Sequence, residues 1–453
     1  MGCANMIPPT GGPRDSLPPV LITASPKDSA TNFTGNRIIL NFDEFVEVQN
    51  TFENVLYSPT PNNIPVINFR FRTVNIRIKD TLEPNTTYSI NFGDAIKDIN
   101  EGNILKNFTY VFSTGSTIDS NTVSGKVVMA ETGKIDSTLL VVLHRNLDDS
   151  AVVKEKPRYV AKLDGLGNFQ FRNLPEGTFA LYAIPNEFSR RYDDTTKPFA
   201  FTDKPISTIN NSPVTLFAYT LPKRDTSGAT PKGPLINIGG RNEKDKDKDK
   251  DKLLRFQTNL DGGRQDLLDS LVLTFNRPIK TFDSSKIILV NKTLNPVNNY
   301  SIVADTNKTS FTVRHSWPAN TDFNLIIDKT AFTDTAGVTL LRNDTLEFST
   351  KRNEDYGSVK LTFRNIDFAK NPVLQIVSSE KIIESVPLTQ RVWSRRLFPP
   401  GEYELRILYD SNKNGVWDPG KFFGTHVQPE TVITLNKKLS VRANWDNDND
   451  ISL

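Results

Sequence analysis

The stretch Phe398-Pro-Pro-Gly-Glu-Tyr-Glu-Leu-Arg-Ile-Leu-Tyr-Asp-Ser-Asn-Lys-Asn-Gly-Val-Trp-Asp-Pro-Gly420 carries a tight turn, a strand and an oxygen-rich loop in immediate succession. Pro399, Pro400 and Gly401 supply the turn, since proline presets one backbone angle and glycine tolerates conformations other residues avoid. The strand alternates, with Tyr403, Leu405 and Ile407 on one face and Glu402, Glu404 and Arg406 on the other, the period of a half-buried β-strand. In the loop, Asp410, Asn412 and Asn414 stand two apart, followed by Gly415 and Asp418. A curling backbone with that spacing turns alternate side-chain oxygens inward. The turn and strand recur in Leu174-Pro-Glu-Gly-Thr-Phe-Ala-Leu-Tyr-Ala-Ile184, with residues 186–194 where the loop belongs. There Arg190 and Arg191 replace the Asn-Gly corner, and the oxygen cage is mostly lost.

Working outward from this pair, the rest of the chain also repeats. Leu271-Val-Leu-Thr-Phe-Asn-Arg277 answers Ile38-Ile-Leu-Asn-Phe-Asp-Glu44. Pro318-Ala-Asn-Thr-Asp-Phe323 answers Pro84-Asn-Thr-Thr-Tyr88, Asp334 answers Asp98, and Asp344-Thr-Leu-Glu-Phe-Ser-Thr350 answers Phe108-Thr-Tyr-Val-Phe-Ser-Thr114. The order is A–B–linker–A′–B′, a duplicated two-domain unit. Short Phe-, Val-, Ile- and Thr-rich runs, broken by 28 prolines and 24 glycines, show no long helical period. The expected fold class is all-β: four tandem β-sandwich domains at 15–117, 121–220, 253–352 and 356–453. Residues 1–14 form a Pro/Gly-rich tether. Residues 221–252 include a strict Lys-Asp alternation from Lys244 to Lys252, which offers no apolar face to offset the entropy of ordering and reads as a solvated spacer. The acidic stretch after Trp445 reads as a solvated terminus.

With 453 residues, several cores of ordinary size are available, and a net charge of +3 gives no clustered cationic face for nucleic acid. No run of ~20 apolar residues exists to span a bilayer as a helix. The three histidines, His144, His315 and His426, stand in no metal-ligand spacing and beside no cysteine. No Gly-x-Ser-x-Gly elbow, phosphate-cradling loop or dinucleotide fingerprint occurs. A pair of carboxylates working on a glycosidic bond needs a cleft that ~100-residue sandwiches do not naturally form. The expectation is a non-enzyme.

Residues 15–115 resemble the bacterial Ig-like domain of surface-layer and Bacteroidota lipoproteins. The resemblance rests on Asp15-Ser-Leu-Pro-Pro19, the Leu-Asn-Phe-Asp-Glu strand ending at Glu44, Pro84-Asn-Thr-Thr-Tyr88, Lys97-Asp98 with Glu101-Gly-Asn103, and the closing Phe112-Ser-Thr114. Residues 123–184 resemble the transthyretin-like or carboxypeptidase-regulatory-like sandwich through Gly167-Asn-Phe-Gln-Phe-Arg-Asn-Leu-Pro-Glu-Gly177, with Phe179 in place of the usual Tyr. Met1-Gly-Cys-Ala-Asn5 looks like the end of a bacterial lipoprotein signal, which makes Cys3 the lipidation residue. Together these resemblances imply a lipid-anchored outer-membrane protein with a structural or partner-binding role in an envelope assembly, the β-barrel assembly machinery among them. The alternative is an array of carbohydrate-binding or adhesion modules.

The loop after Tyr409 is similar to calcium loops of bacterial surface proteins, and its spacing matches the first half of an EF-hand loop. The expected ligands of a structural Ca²⁺ are Asp410, Asn412, Asn414, the Val416 carbonyl and Asp418. Gly415 permits the corner, and Lys421 stands where an EF-hand places its bidentate Glu. The opposing reading is a hairpin whose Asn and Asp side chains cap their own backbone. Trp417, Tyr192 and Trp445 are expected to pack or latch rather than bind ligands.

Overall fold

The computed structural model describes residues 14–221 and 253–453. Cys3, most of the tether and the charged spacer lie outside the described residues. Strands make up 47% of the described residues and helix 4%, which bears out the all-β expectation.

The first sandwich opens with Leu21–Ser25 and Arg37–Phe42, which pair with Thr73–Arg77 and Val66–Arg70 in one four-stranded sheet. Leu56–Ser58, Thr87–Asn91 and Thr109–Ser113 form the facing sheet. Alternation supplies the core: Ile38, Leu40 and Phe42 point inward from one strand and meet Val74, Ile76, Ile90, Tyr110 and Phe112. The third sandwich repeats this order, with Phe256–Thr258, Leu271–Phe275, Ser310–His315 and Tyr300–Ala304 in one sheet. Ile287–Asn291, Asp322–Ile327 and Asp344–Thr350 face it.

The second and fourth sandwiches share a different plan. In the second, Asn121–Met129 lies between Asn168–Leu174 and Val214–Ala218, the last running parallel to it. Leu139–His144 and Thr178–Pro185 form the centre of the facing sheet. In the fourth, Gly357–Arg364 lies between Val392–Phe398 and the parallel Asp446–Ser452, facing the central pair Pro372–Ser378 and Gly401–Tyr409. The acidic tail is therefore a strand and not a solvated terminus. Ile451 buries itself in the core, while Asp446, Asp448 and Asp450 face Ser358, Lys360 and Arg364 on the neighbouring strand. Alternation hides a strand whose outward residues happen to be acidic.

A second departure concerns Gly401–Tyr409. Its supposedly polar face is covered towards its end, for Glu402 is exposed and Glu404 half-buried, whereas Arg406 is 4% exposed and bonds Glu404 at 2.5 Å. Lys134 of the second sandwich approaches the same Glu404 at 3.6 Å. What covers that face is the second sandwich. The chain doubles back so that the second and fourth sandwiches pack against each other, as when Thr434 donates to the Thr132 carbonyl, 302 positions away in sequence.

Candidate functional site

The loop after Tyr409 is organised by Asp410, which is 1% exposed. Its Oδ1 accepts the Lys413 N–H at 2.6 Å and its Oδ2 accepts the Gly415 N–H at 2.7 Å. Gly415 sits at φ +78°, in the left-handed region where a β-carbon is disfavoured. Asn412 Oδ1 accepts the Asn414 N–H at 3.0 Å, and Asn414 Oδ1 accepts the Val416 N–H at 2.7 Å. Both amide Nδ2 groups converge on Asp418 Oδ2, at 2.6 and 2.7 Å. The structure thus brings Asp410, Asn412, Asn414 and Asp418 into one closed loop. Val416 joins through its N–H, with its side chain 64% exposed.

One carboxylate escaped the sequence reading. Glu430, 8% exposed, accepts the Ser411 N–H at 2.7 Å with Oε1 and the Asp418 N–H at 3.2 Å with Oε2. It ties the two legs of the loop together from outside the motif. Oxygen donors at this spacing suit a hard cation such as Ca²⁺, but here the Asn412 and Asn414 amides turn their nitrogens to Asp418, and among the described residues Asp410, Asp418 and Glu430 do not form a carboxylate group that could hold a metal ion. In the geometry present, Asp410, Asn412 and Asn414 cap backbone N–H groups and Asp418 accepts both amide N–H groups, so the loop closes by hydrogen bonding. It lies just before the strand Thr431–Thr434, outside the motif the sequence offered.

Beyond Asp418 the chain becomes a clasp. Trp417 donates its indole N–H to the Glu430 carbonyl at 2.7 Å and packs beside Val373, Leu408 and Val432. Phe422, 3% exposed, inserts among Tyr182, Phe199 and Phe201 of the second sandwich, with ring centroids 5.0–5.5 Å away. His426 stacks on Phe422 at 4.9 Å and pairs with Asp149 at 3.0 Å. Val432 donates its N–H to the Ala130 carbonyl at 2.8 Å. The fit is close at Gly133, where a β-carbon would stand 2.7 Å from the Val432 carbonyl oxygen. Tyr192, at the matching loop of the second sandwich, is 4% exposed and stacks on Phe199 at 4.1 Å. Trp417 and Tyr192 pack as expected, whereas Trp445 remains 62% exposed under the Arg442 guanidinium.

The histidines hold structural posts. His144 is 2% exposed, and burial pushes its pKa down to about 4. His315 lies edge-on to Trp317 and bonds the Asn299 carbonyl at 3.1 Å.

A further cluster appears at the corner of the first sandwich. Among the described residues, one group of three acidic side chains has its oxygens within 4.8 Å of one another: Glu44, Asp98 and Glu101. Burial pushes the Glu44 pKa up, and Asp98 adds to the rise. Burial acts against the charge on Asp98, yet backbone N–H groups from Glu101, Gly102 and Asn103 hold its pKa below the usual range.

Residues 15–114 match the bacterial Ig-like domain family. No curated protein sequence matches the chain. Among solved structures, native alpha-2-macroglobulin from Escherichia coli, spanning domains MG0-NIE-MG1, is 13% identical over 40% of this chain and 71% of that one, with a TM-score of 0.20. The Bacillus anthracis TIE protein is 11% identical over 98% and 75%, at 0.17. The major pilin subunit BcpA of Bacillus cereus is 12% identical over 74% and 99%, also at 0.17. Likenesses this loose carry no argument about role. The chain contains a bacterial Ig-like domain at residues 15–114.

Proposed function

We propose that this protein is a non-catalytic structural and partner-binding component of a bacterial cell envelope, held at the outer membrane by a lipid on Cys3. The observation that carries the reading is the clasp. The most chemically equipped stretch of the chain, 410–430, uses its carboxylates and amides to shape a loop that locks one sandwich onto another. Side chains engaged in that way serve rigidity rather than turnover. The bacterial Ig-like domain and the Cys3 context add support, and together they point to a Bacteroidota-type lipoprotein. Within that class, an accessory of the β-barrel assembly machinery is the specific assignment, and Ca²⁺ at the loop is structural.

Mass spectrometry of the N-terminal peptide from purified outer membranes tests the anchor, and a diacylglyceryl adduct on Cys3 is the expected result. Affinity purification after in-cell cross-linking then tests the partner, with barrel-assembly subunits enriched from wild type and not from Cys3→Ser. Unmodified Cys3 in a soluble fraction overturns the proposal. A lipidated protein that enriches no assembly subunit overturns its finer part alone.

A further inference from the structure

The chain enters the first sandwich at one end, and that end carries exposed rings. Arg14 donates to the Glu101 carbonyl at 3.1 Å, and the Asp15 carbonyl accepts the Asn103 amide at 3.2 Å. The same end holds Phe45, 45% exposed, and Phe71, 60% exposed, with ring centroids 5.7 Å apart. Backbone bonds draw the segments together. Val46 donates to the Phe71 carbonyl at 2.9 Å, and Ile99, itself half exposed, donates to the Phe45 carbonyl at 3.0 Å. The Arg72 guanidinium lies over Phe45 at 5.7 Å and that of Arg70 over Phe71 at 5.2 Å. Strand Thr73–Arg77 runs from this end toward Glu83, which meets Arg158 of the second sandwich. The rings therefore sit away from that junction.

Two observations say that the rings are there for contact. The first is strain. Phe71 has φ +54°, a backbone conformation rare for a bulky residue, yet most of its side chain faces solvent. Packing within the fold does not explain it. The second is the other copy. In the third sandwich Phe275 donates to Thr309 and Ile279 to Lys308, where Phe42 donates to Arg72 and Val46 to Phe71 in the first. Lys308 keeps the same φ of +54°. This register sets Lys308 against Phe71, Pro278 against Phe45 and Thr335 against Ile99. The turn is common to both copies, and the apolar residues mark only the sandwich that follows Cys3. Arg14 stands eleven positions after Cys3, so the chain between them spans at most about 40 Å.

We propose that this end of the first sandwich docks on a zwitterionic lipid surface, with Phe45, Phe71 and Ile99 at the boundary between headgroups and acyl chains. The inference rests on the Cys3 anchor, whose short reach holds this end near the bilayer. Aromatic rings flanked by arginines suit that boundary, since the rings bury their faces while the guanidinium groups stay at the level of the phosphates. Glu44 and Glu101 place negative charge at the same end. That disfavours an anionic surface and matches a headgroup carrying both signs. A second contact beside the anchor fixes the orientation of the sandwiches above the lipid.

Cys3 is the only cysteine. Coupling it to a maleimide lipid in phosphatidylethanolamine–phosphatidylcholine vesicles therefore anchors the full chain whether or not the cell lipidates it. Failure of the docking is thus separate from failure of the anchor, which mass spectrometry reads. Phe71→Trp and Lys308→Trp are compared with wild type, whose four tryptophans lie in the third and fourth sandwiches. Brominated lipid should remove most of the emission that Phe71→Trp adds, shifted to the blue, and leave that of Lys308→Trp intact. Phe45→Ser on the Phe71→Trp background should lower the quenched fraction. Phe45→Trp repeats the test at the neighbouring ring, and unchanged thermal unfolding shows that the variants fold. Unquenched emission from both positions overturns the inference, and a photo-cross-linker at position 71 in cells then separates a protein partner from solvent. Equal quenching of Lys308→Trp also overturns it, and stronger quenching on phosphatidylglycerol vesicles overturns the choice of lipid.

Discussion

The two halves of the chain carry the same strand orders but have diverged at matching places. In the fourth sandwich the loop after Tyr409 is closed by Asp410, Asp418 and Glu430 and reaches outward with Phe422. In the second, the matching loop folds inward, with Tyr192 stacked on Phe199. One copy gives the tooth and the other the socket. The corners of the Ig-like sandwich have diverged too. Asp334 meets Arg277 at 3.2 Å, whereas its counterpart Asp98 meets Glu44, the residue aligned with Arg277, together with Glu101. Both buried aspartates accept backbone N–H groups, so the turn is kept while the partner's charge is reversed. Duplication supplied two equal units, and each later change has meaning against the copy that lacks it.

Removing the tooth breaks the first contrast most severely. Phe422→Ala should cost about 3 kcal/mol or more, because the side chain sits in an aromatic socket and outside the core of its own sandwich. Calorimetry should show the second and fourth sandwiches uncoupling, with the transition splitting or broadening at its low-temperature side.

Charge reversal probes the corners. Arg277→Glu recreates the first corner in the third sandwich and should cost about 2 kcal/mol, since Asp334 is left buried beside a like charge. The reciprocal Glu44→Arg should add about 1 kcal/mol. Urea midpoints measure both, and equal effects of the same sign would refute the equivalence of the corners.

Calcium sharpens the loop contrast. On the proposal of a Ca²⁺ site, the ion at ten times its dissociation constant would add ~1.4 kcal/mol to the fourth sandwich by linkage. Melting with EDTA and with CaCl₂ should therefore differ for wild type and coincide for Asp410→Ala. Coinciding wild-type traces would leave the loop as a hydrogen-bonded turn.

The smallest effect lies in pH. Glu44 holds its proton more tightly in the folded protein than in the unfolded chain, where its ordinary value is 4.5. Its contribution is complete below 4.5 and is lost as pH rises through the raised folded value. The stability advantage of Glu44→Gln over wild type should therefore grow with pH across that window and then level off. An advantage that shrinks would show that the corner is not strained by like charge.

Much of this was readable in the residues. The repeat of Leu271–Phe275 after Ile38–Phe42, and of one Pro-Gly turn and strand after another, announced paired sandwiches, because alternation and turn chemistry are local. The inward spacing of Asp410, Asn412, Asn414 and Asp418 was local in the same way. What the sequence hid was long-range. Arg406 looked solvent-facing because nothing near it in the chain reveals that another module covers it. Glu430 lies twelve residues past Asp418 and belongs to no motif. Asp446–Ser452 looked like an acidic tail because its one buried anchor, Ile451, is outnumbered by outward acids that pair across the sheet.

The clasp is the centre of the account, and hydrogen–deuterium exchange on wild type and Phe422→Ala tests it most directly. In wild type, peptides covering 128–133, 199–203 and 420–434 should exchange slowly, since the Val432 N–H is held by Ala130 and Phe422 fills its socket. In the variant these three segments should speed up together while the fourth-sandwich core strand Gly357–Arg364 keeps its protection. Fast exchange of 420–434 already in wild type, or no change on removing Phe422, would contradict the claim that this loop joins the two halves.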